Sequence, residues 1–209
     1  MESEMYDANY YLYGVESGRS NYSNYRWLPE MTLSLAMTMI DFLDIKKDQT
    51  ILDYGCALGY LVKAFRLLHR QAWGVDTSSF AIENLDPAVR KYCFLLDGNI
   101  VKECPVTFDL CIAKDVFEHI KKGDLLSVVN HIPARKMFVI VPLGENNKYF
   151  APANNMDITH IICEDLDWWN SVFENAWQIK WKGYRVDGIK EPYYKNYPKA
   201  HGFLVLDRK

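Results

Sequence analysis

The sequence lacks the cysteine pattern of a disulfide-rich or zinc-binding protein. Its five cysteines are odd in number and widely spaced, and no two of them are separated by just two residues. Paired cysteines at short, regular spacing are typical of disulfide frameworks and zinc sites. We therefore expect reduced, mostly buried thiols in a cytoplasmic protein. The cysteines occupy positions 56, 93, 104, 111 and 163.

Long apolar runs are also missing. The best candidate, residues 31–40, is interrupted by Thr32, Ser34 and Thr38, whereas a membrane span needs about 20 apolar residues. Two of the first four residues are acidic and no apolar stretch follows them, so a secretory signal is not expected. These absences predict a chain that neither crosses nor enters a membrane.

An excess of positive charge is absent as well. The net charge is −3 and the isoelectric point is near 6.0, which disfavours a nucleic acid partner. Hydrophobic residues make up 49% of the 209 residues, enough for the core of a single domain. We expect a monomer or homodimer, with a tyrosine-rich arm and helix over residues 1–45 and the main domain over 46–209.

What the sequence does contain is an alternation of short apolar runs with helical periodicity. After a helix that begins near Pro29, helices are predicted at 60–68, 78–85, 125–130 and 164–176. Strands are predicted at 50–54, 72–76, 92–96, 108–113, 137–141, 178–186 and 203–207. Such alternation indicates an α/β fold with a mostly parallel sheet covered on both faces. The last two strands, joined by a loop at 187–202, are predicted to pair antiparallel.

The first strand, turn and helix carry the sharpest signal. The strand runs through Asp53 into Gly55 and Gly59, and the helix follows at once. Glycine permits a tight turn and a close ligand approach, and an acid at the end of the second strand, Asp76, can accept hydrogen bonds from ribose hydroxyls. Together these residues predict a nucleotide site. Taken singly, the glycines could only shape a turn and Asp76 could only cap a helix.

The nucleotide is not predicted to be a dinucleotide. The dinucleotide fingerprint requires a further glycine three residues after Gly59, and Ala57 stands at its central glycine position. Asp53 would also lie unfavourably close to a pyrophosphate. A ligand with a cationic amino acid end fits better.

The segment from Asp53 to Gly59 resembles the first motif of the class I S-adenosylmethionine-dependent methyltransferases, with Ala57 in place of a glycine. The resemblance implies a seven-stranded Rossmann-like sheet in the order 3-2-1-4-5-7-6, with strand seven antiparallel. It also implies that Asp53 holds the methionine ammonium and Asp76 the ribose. The cofactor-binding residues expected around this turn are Asp53, Gly55, Cys56, Ala57, Gly59, Tyr60, Asp76 and Thr77.

Two later segments extend the resemblance. Gly98-Asn99-Ile100 corresponds to the motif after strand three, where Asn99 replaces an acid and Asp97 is the rival contact for the adenine. Residues 108–120 resemble the fourth motif and imply that Lys114 and Asp115 line the cofactor near its methyl group. The tyrosine-rich segment of Tyr22 and Tyr25, together with 157–161, resembles a branch that often acts on sugars. Tyr22, Tyr25 and His160 are thus expected on the acceptor side.

Methyl transfer to a hydroxyl requires alignment of the acceptor and removal of its proton. His160 and His119 are candidate bases, because histidine titrates near neutral pH. Asp115 is a further catalytic candidate. Either histidine could instead only anchor a loop or fill the core. His69, His131 and His201 have no such context.

The fourth motif also contains acidic and histidine side chains that could bind a divalent metal ion. Asp115, Glu118 and His119 follow an i, i+3, i+4 spacing that would share a helical face. The trio resembles the acidic–histidine cluster of ubiquinone-pathway O-methyltransferases. Glutamate–histidine pairs are also common without metal, so no metal is expected.

The favoured function is therefore S-adenosylmethionine-dependent O-methyl transfer to a small saccharide or nucleotide-linked acceptor, with release of S-adenosylhomocysteine. The alternatives are N-methylation of a small metabolite and a non-catalytic cofactor-binding module. A dehydrogenase is disfavoured by the missing glycine. A DNA amino-methyltransferase is disfavoured because its Asn/Asp-Pro-Pro-Tyr/Phe motif is absent at 114–117.

Overall fold

A computed structural model describes residues 3–96 and 107–209, and its centre is a seven-stranded sheet. The sheet order is β3-β2-β1-β4-β5-β9-β8, in which the first five strands are parallel and β9 is antiparallel to both neighbours. The sheet strands are β1 Thr50–Tyr54, β2 Gln71–Asp76, β3 Cys93–Leu95, β4 Phe108–Lys114, β5 Ala134–Pro142, β8 Trp177–Gly183 and β9 His201–Arg208. A separate small hairpin pairs β6 Gly144–Glu145 with β7 Lys148–Tyr149.

Helices cover both faces of the sheet. The described helices are α1 Ala8–Tyr11, α2 Gly14–Ser17, α3 Pro29–Phe42, α4 Tyr60–Leu67, α5 Ser79–Glu83, α6 Lys122–His131, α7 Leu166–Phe173 and α8 Glu191–Tyr194. One apolar core contains Phe65 of α4 and Met39 of α3, and the other contains Val129 of α6 and Trp169 of α7. Strand residues alternate between the two cores, since Leu52 belongs to one and Ile51 to the other. The sheet is thus buried on both faces, as parallel sheets are.

The predicted topology is confirmed, including the antiparallel last pair of strands. The boundaries shift where local capping decides them. The helix predicted at 164–176 begins at Leu166 because Asp165 caps it, accepting a hydrogen bond from the Trp168 backbone N–H. The third strand begins at Cys93 because a 3₁₀ turn occupies Arg90–Tyr92. The stretch 187–202, predicted as a loop, contains the short helix α8.

The N-terminal arm, residues 4–25, contains the short helices α1 and α2. Asp7 caps α1 by accepting a hydrogen bond from the Tyr10 backbone N–H. Val15 donates its backbone N–H to the carbonyl of Tyr22, and Tyr25 donates to the carbonyl of Tyr11. These bonds fold the arm back on itself. Over the described parts of the chain, no helix has the length and apolarity to span a bilayer.

Candidate functional site

The site lies at the carboxyl edge of the parallel strands, where the strand order reverses. β1 stands between β2 and β4, so the connections after β1 and β4 leave the sheet in opposite directions. Open α/β sheets bind ligands at this switch point. Asp53, Asp76, Lys114 and Asp115 all lie at or near these strand ends.

The turn between β1 and α4 has a left-handed backbone at three positions. Gly55, Ala57 and Gly59 have φ values of 81°, 48° and 77°. A Cβ on Gly55 would lie 2.4 Å from Val116 Cγ2, so the loop after β4 packs directly on the turn. A Cβ on Gly59 would meet Val89 at 2.8 Å, which gives Gly59 a packing reason in addition to the predicted cofactor approach.

Asp76 links the turn to the end of β2. One carboxylate oxygen accepts the backbone N–H of Ala57 at 2.7 Å, and the other accepts that of Ser78 at 2.8 Å. Burial nevertheless raises the pKa of Asp76 above its usual value. Each oxygen keeps a lone pair that can accept a further hydrogen bond, for example from a pair of hydroxyls. Thr77, the next residue, is exposed.

Asp53 is a buried acid on the central strand. Its side chain is 4% exposed. Burial raises its pKa to about 7, although the Lys114 ammonium opposes the shift. A buried carboxyl of this kind becomes stable as an anion only when a cation lies against it. The position is therefore suited to a cationic ligand group.

Lys114 and Asp115 end β4 and form an ion cluster with Lys190. Both ammonium groups contact the same oxygen of Asp115, Lys114 at 2.7 Å and Lys190 at 2.6 Å. Burial would raise the pKa of Asp115, but Lys114 and then Lys190 hold it well below its usual range. Asp115 is thus an anion paired with two cations, and it is poorly suited to accept a proton. This geometry speaks against a role of Asp115 as a base.

Three other side chains converge beside this cluster. The Nε2 atoms of His119 and His160 lie 4.0 Å and 3.9 Å from Oε1 of Glu118. The candidate ligand atoms of the three residues all lie within 4.8 Å of one another. Burial lowers the pKa of His119 to about 4 and lowers that of His160, whereas burial raises the pKa of Glu118 well above its usual value.

The structure does not bring Asp115 together with Glu118 and His119, as the sequence spacing suggested. Asp115 has φ 55° and precedes the 3₁₀ turn Phe117–His119, so it does not continue a helical face with Glu118 and His119. Its carboxylate turns to the two lysines. His160, which the sequence predicted as a candidate base and on the acceptor side, lies with Glu118 and His119 instead.

The arm covers the turn between β1 and α4. Tyr11 stacks on Phe80 with ring centroids 6.0 Å apart, and Tyr25 lies 5.4 Å from Tyr60. The Ser78 hydroxyl donates a 2.5 Å hydrogen bond to the carbonyl of Tyr6. Tyr22 packs among these rings. Its pKa is raised to about 12 by burial, although the Lys114 ammonium opposes this. The two tyrosines predicted on the acceptor side therefore pack with the arm over the turn between β1 and α4.

Some predicted residues lie outside the part of the chain that the structure describes, and other residues of the site were not predicted. Asp97, Gly98 and Asn99 lie outside the described residues. Lys190 was missed because nothing in its neighbourhood of the sequence indicates that it reaches Asp115, 75 positions away. Asp157 was named only as part of a segment, yet it accepts a 2.8 Å hydrogen bond from the Tyr10 hydroxyl. The nearby Asp-x-Thr-His pattern was the available signal.

Comparisons by sequence found no known protein similar to this chain, whereas comparison by structure found many. No protein-family model matches the chain, and a search of curated proteins found no match either. The solved structures give many matches. The [4+2]-cyclase SpnF aligns with a TM-score of 0.65 at 13% identity, covering 99% of this chain and 94% of its own.

Two further structures are similar to the same extent. A SAM-dependent methyltransferase from Archaeoglobus fulgidus has a TM-score of 0.62 at 12% identity, with 86% of this chain and 97% of that chain covered. The mitomycin 7-O-methyltransferase MmcR has a TM-score of 0.61 at 13% identity, with 94% and 66% covered. The fold of this chain is therefore that of the class I S-adenosylmethionine-dependent methyltransferases.

Proposed function

We propose that the chain is a methyltransferase that binds S-adenosylmethionine at the turn between β1 and α4. The observation that carries the proposal is the pair of buried acids, Asp53 and Asp76, on either side of that turn at the switch point of the sheet. S-adenosylmethionine has an ammonium at one end and ribose hydroxyls at the other. Both are donors, and both acids are acceptors.

The residues of the turn fit this cofactor by their chemistry. Asp53 needs a cation to become a stable anion in its buried position, and the methionine ammonium supplies one. Asp76 is already oriented by two backbone N–H donors, so its free lone pairs are fixed for the ribose hydroxyls. The bound cofactor supplies a methyl group activated by the positive sulfur.

The proposed acceptor is a small molecule with a hydroxyl group, saccharide or nucleotide-linked. Tyr22 and Tyr25 offer aromatic faces of the kind on which sugars and bases stack, and Lys114 and Lys190 place two cations on one carboxylate. That excess positive charge favours an acceptor with a phosphate or carboxylate. The oxygen of the acceptor attacks the methyl carbon, and the carbon–sulfur electron pair stays on sulfur. The hydroxyl proton leaves to a base.

Likeness of fold does not decide the reaction, because one similar structure is that of a cyclase. N-methylation of a small metabolite and cofactor binding without catalysis remain the alternatives. MmcR, an O-methyltransferase, lends support to oxygen as the acceptor atom. The cysteines that the structure describes are free thiols, which accords with the proposed cytoplasmic location.

The test is transfer of an isotope-labelled methyl group from S-adenosylmethionine to a panel of hydroxyl and amine metabolites. We expect incorporation into a phosphorylated or nucleotide-linked sugar, at least ~100-fold reduced in Asp76→Asn because a ribose contact is lost. Asp48→Asn is the matched control, since Asp48 is an exposed acid. Tight cofactor binding without incorporation into any acceptor would favour the non-catalytic alternative.

A further inference from the structure

The tautomer of His160 is fixed by its surroundings. Its Nδ1 lies 2.8 Å from the backbone carbonyl oxygen of Asn154. A carbonyl oxygen only accepts hydrogen bonds, so Nδ1 carries the proton. The Nε2 atom of the neutral ring is then a bare lone pair, and it lies 3.9 Å from Oε1 of Glu118 and 3.9 Å from Oδ2 of Asp157.

His119 is fixed in the same way through Thr159. Its Nδ1 lies 2.8 Å from the Thr159 hydroxyl oxygen and 3.2 Å from the Thr159 carbonyl oxygen. The Thr159 hydroxyl donates its own hydrogen to Asp157 at 2.5 Å. The hydroxyl therefore accepts from His119, whose Nδ1 carries the proton. The second Nε2 is bare as well.

Glu118 completes the group. Its side chain is 0% exposed, and neither carboxylate oxygen has a hydrogen-bond partner. Its backbone carbonyl accepts the N–H groups of Ile161 and Ile162 at 2.9 Å and 3.1 Å, which holds the turn after β4 against the loop that carries His160. Two bare nitrogens and a buried carboxylate thus face one another without a donor among them. Leaving a buried carboxylate unpaired is strongly unfavourable.

We propose that Glu118, His119 and His160 form a binding site for a divalent transition metal ion. Two imidazole nitrogens and one carboxylate form a donor set that suits Zn²⁺, Fe²⁺ or Mn²⁺. The hydrogen bonds from both Nδ1 atoms are the outer contacts that orient histidine ligands in metal sites. The site joins two loops that are 40 residues apart in sequence.

The separations favour a metal over a shared proton. A hydrogen bond between Glu118 and a histidine would need about 2.7–3.2 Å between the heavy atoms, and the observed distances are 3.9 and 4.0 Å. An ion with bonds of about 2.1 Å in tetrahedral geometry holds its ligands about 3.4 Å apart. The two Glu118–histidine distances exceed this by about half an ångström, and the widest separation in the group, up to 4.8 Å, exceeds it by about 1.4 Å, so the two loops would have to move together to close around the ion.

The position indicates a role for the ion that rests on the proposed function. Three protein ligands leave open coordination positions. The ion cluster of Lys114, Asp115 and Lys190 belongs to the same turn after β4, because Asp115 precedes Glu118 by three residues. An oxygen of the acceptor would fill an open position. The binding of the ion itself does not depend on this role.

The test uses the full chain, freed of metal with a chelator and titrated with Zn²⁺ by calorimetry, with Co²⁺ absorption as a report on geometry. We expect a single ion per chain and visible Co²⁺ bands of a low-coordinate site. Glu118→Gln and His160→Gln are expected to weaken Zn²⁺ binding at least ~100-fold, and Thr159→Val ~10–100-fold. His69→Asn removes an exposed histidine and should change nothing.

Circular dichroism and thermal unfolding of each variant separate lost folding from lost binding. Glu118→Gln removes a buried charge, so it should stay folded. The proposal would be overturned if Glu118→Gln bound Zn²⁺ as tightly as the starting protein does. It would also be overturned if the starting protein bound no Zn²⁺. Binding of S-adenosylhomocysteine, measured in parallel on the metal-free chain, shows whether the proposed function fails separately.

Discussion

At the scale of single residues, Asp53 has a conflict between stability and function. Its folded-state pKa of about 7, raised by burial, lies well above the ordinary aspartic acid value of 3.8. The folded protein therefore binds a proton that the unfolded chain releases between these two pH values. The free energy of unfolding falls as pH rises through this range and stays reduced above pH 7. A residue that lowers stability in this way is expected where a ligand needs it.

Asp53→Asn is accordingly expected to raise the free energy of unfolding by about 2 kcal/mol at pH 8, measured by urea unfolding. Near pH 4 the variant and the starting protein should be equally stable. The same change should weaken S-adenosylhomocysteine binding. In the starting protein, that affinity should fall about tenfold per pH unit below pH 7, because the carboxylate is the binding form. A variant that loses stability at pH 8, or binding that ignores pH between 5.5 and 7, would contradict this assignment.

Gly55 shows how tightly the loops of the site are joined. Gly55→Ala is expected to destabilise the protein by about 2 kcal/mol or more, because φ is 81° and the new Cβ would meet Val116 at 2.4 Å. Gly123→Ala is the matched control. Gly123 lies in α6 with no atom near its missing Cβ, so the change should stabilise by about 0.5–1 kcal/mol. Equal effects of the two changes in thermal unfolding would refute the close packing.

At the scale of elements, the N-terminal arm and the turn between β1 and α4 pack together in one aromatic cluster. Tyr11 is 4% exposed and contacts Phe80 and Tyr22, and Tyr10 reaches Asp157 in the loop after β5. The arm thereby connects the turn to the loop that carries His160. A bound cofactor at the turn would lie under the arm, so the arm must open for cofactor exchange.

Tyr11→Ala is therefore expected to speed the dissociation of S-adenosylhomocysteine by about tenfold, since a closing contact worth about 1.4 kcal/mol or more is lost. Stopped-flow chase with excess S-adenosylmethionine measures this rate. Tyr13→Ala is the control, because Tyr13 is 51% exposed. If both variants release the ligand at the same rate, the arm does not limit exchange.

Elements with a clear hydrophobic period were predicted well, and long-range neighbours were not. α4 and the strands around it could be predicted from local hydrophobic patterns. The acids Asp53 and Asp76 could be predicted because the motif that contains them is short and local in sequence. The cluster of Glu118 with His160 depends on two loops meeting in space, which no spacing encodes. Asp115 does not share a face with Glu118 and His119, because its left-handed backbone breaks the assumed helical turn. Lys190 and α8 belong to a stretch that has no period at all.

At the scale of the whole molecule, the strand order places the acids, lysines and histidines of the site that the structure describes at one edge of the sheet. β9 runs antiparallel and pairs His201 with Pro142, so even the last strand begins at this edge. The turn after β1 and the loops after β4 and β5 then meet there. The acids and the histidines of the site thus lie in a single region, although they come from segments that are distant in sequence.

The most direct test of the cofactor site is calorimetric titration with S-adenosylhomocysteine, followed by thermal unfolding at about 100 times the measured Kd. Ligand binding to the folded state should then add about 2.7 kcal/mol and raise Tm by about 5–10 °C. Asp76→Asn should lose most of this shift, and NADH should produce none. An unchanged Tm at every concentration of S-adenosylhomocysteine, or an equal shift with NADH, would contradict the account.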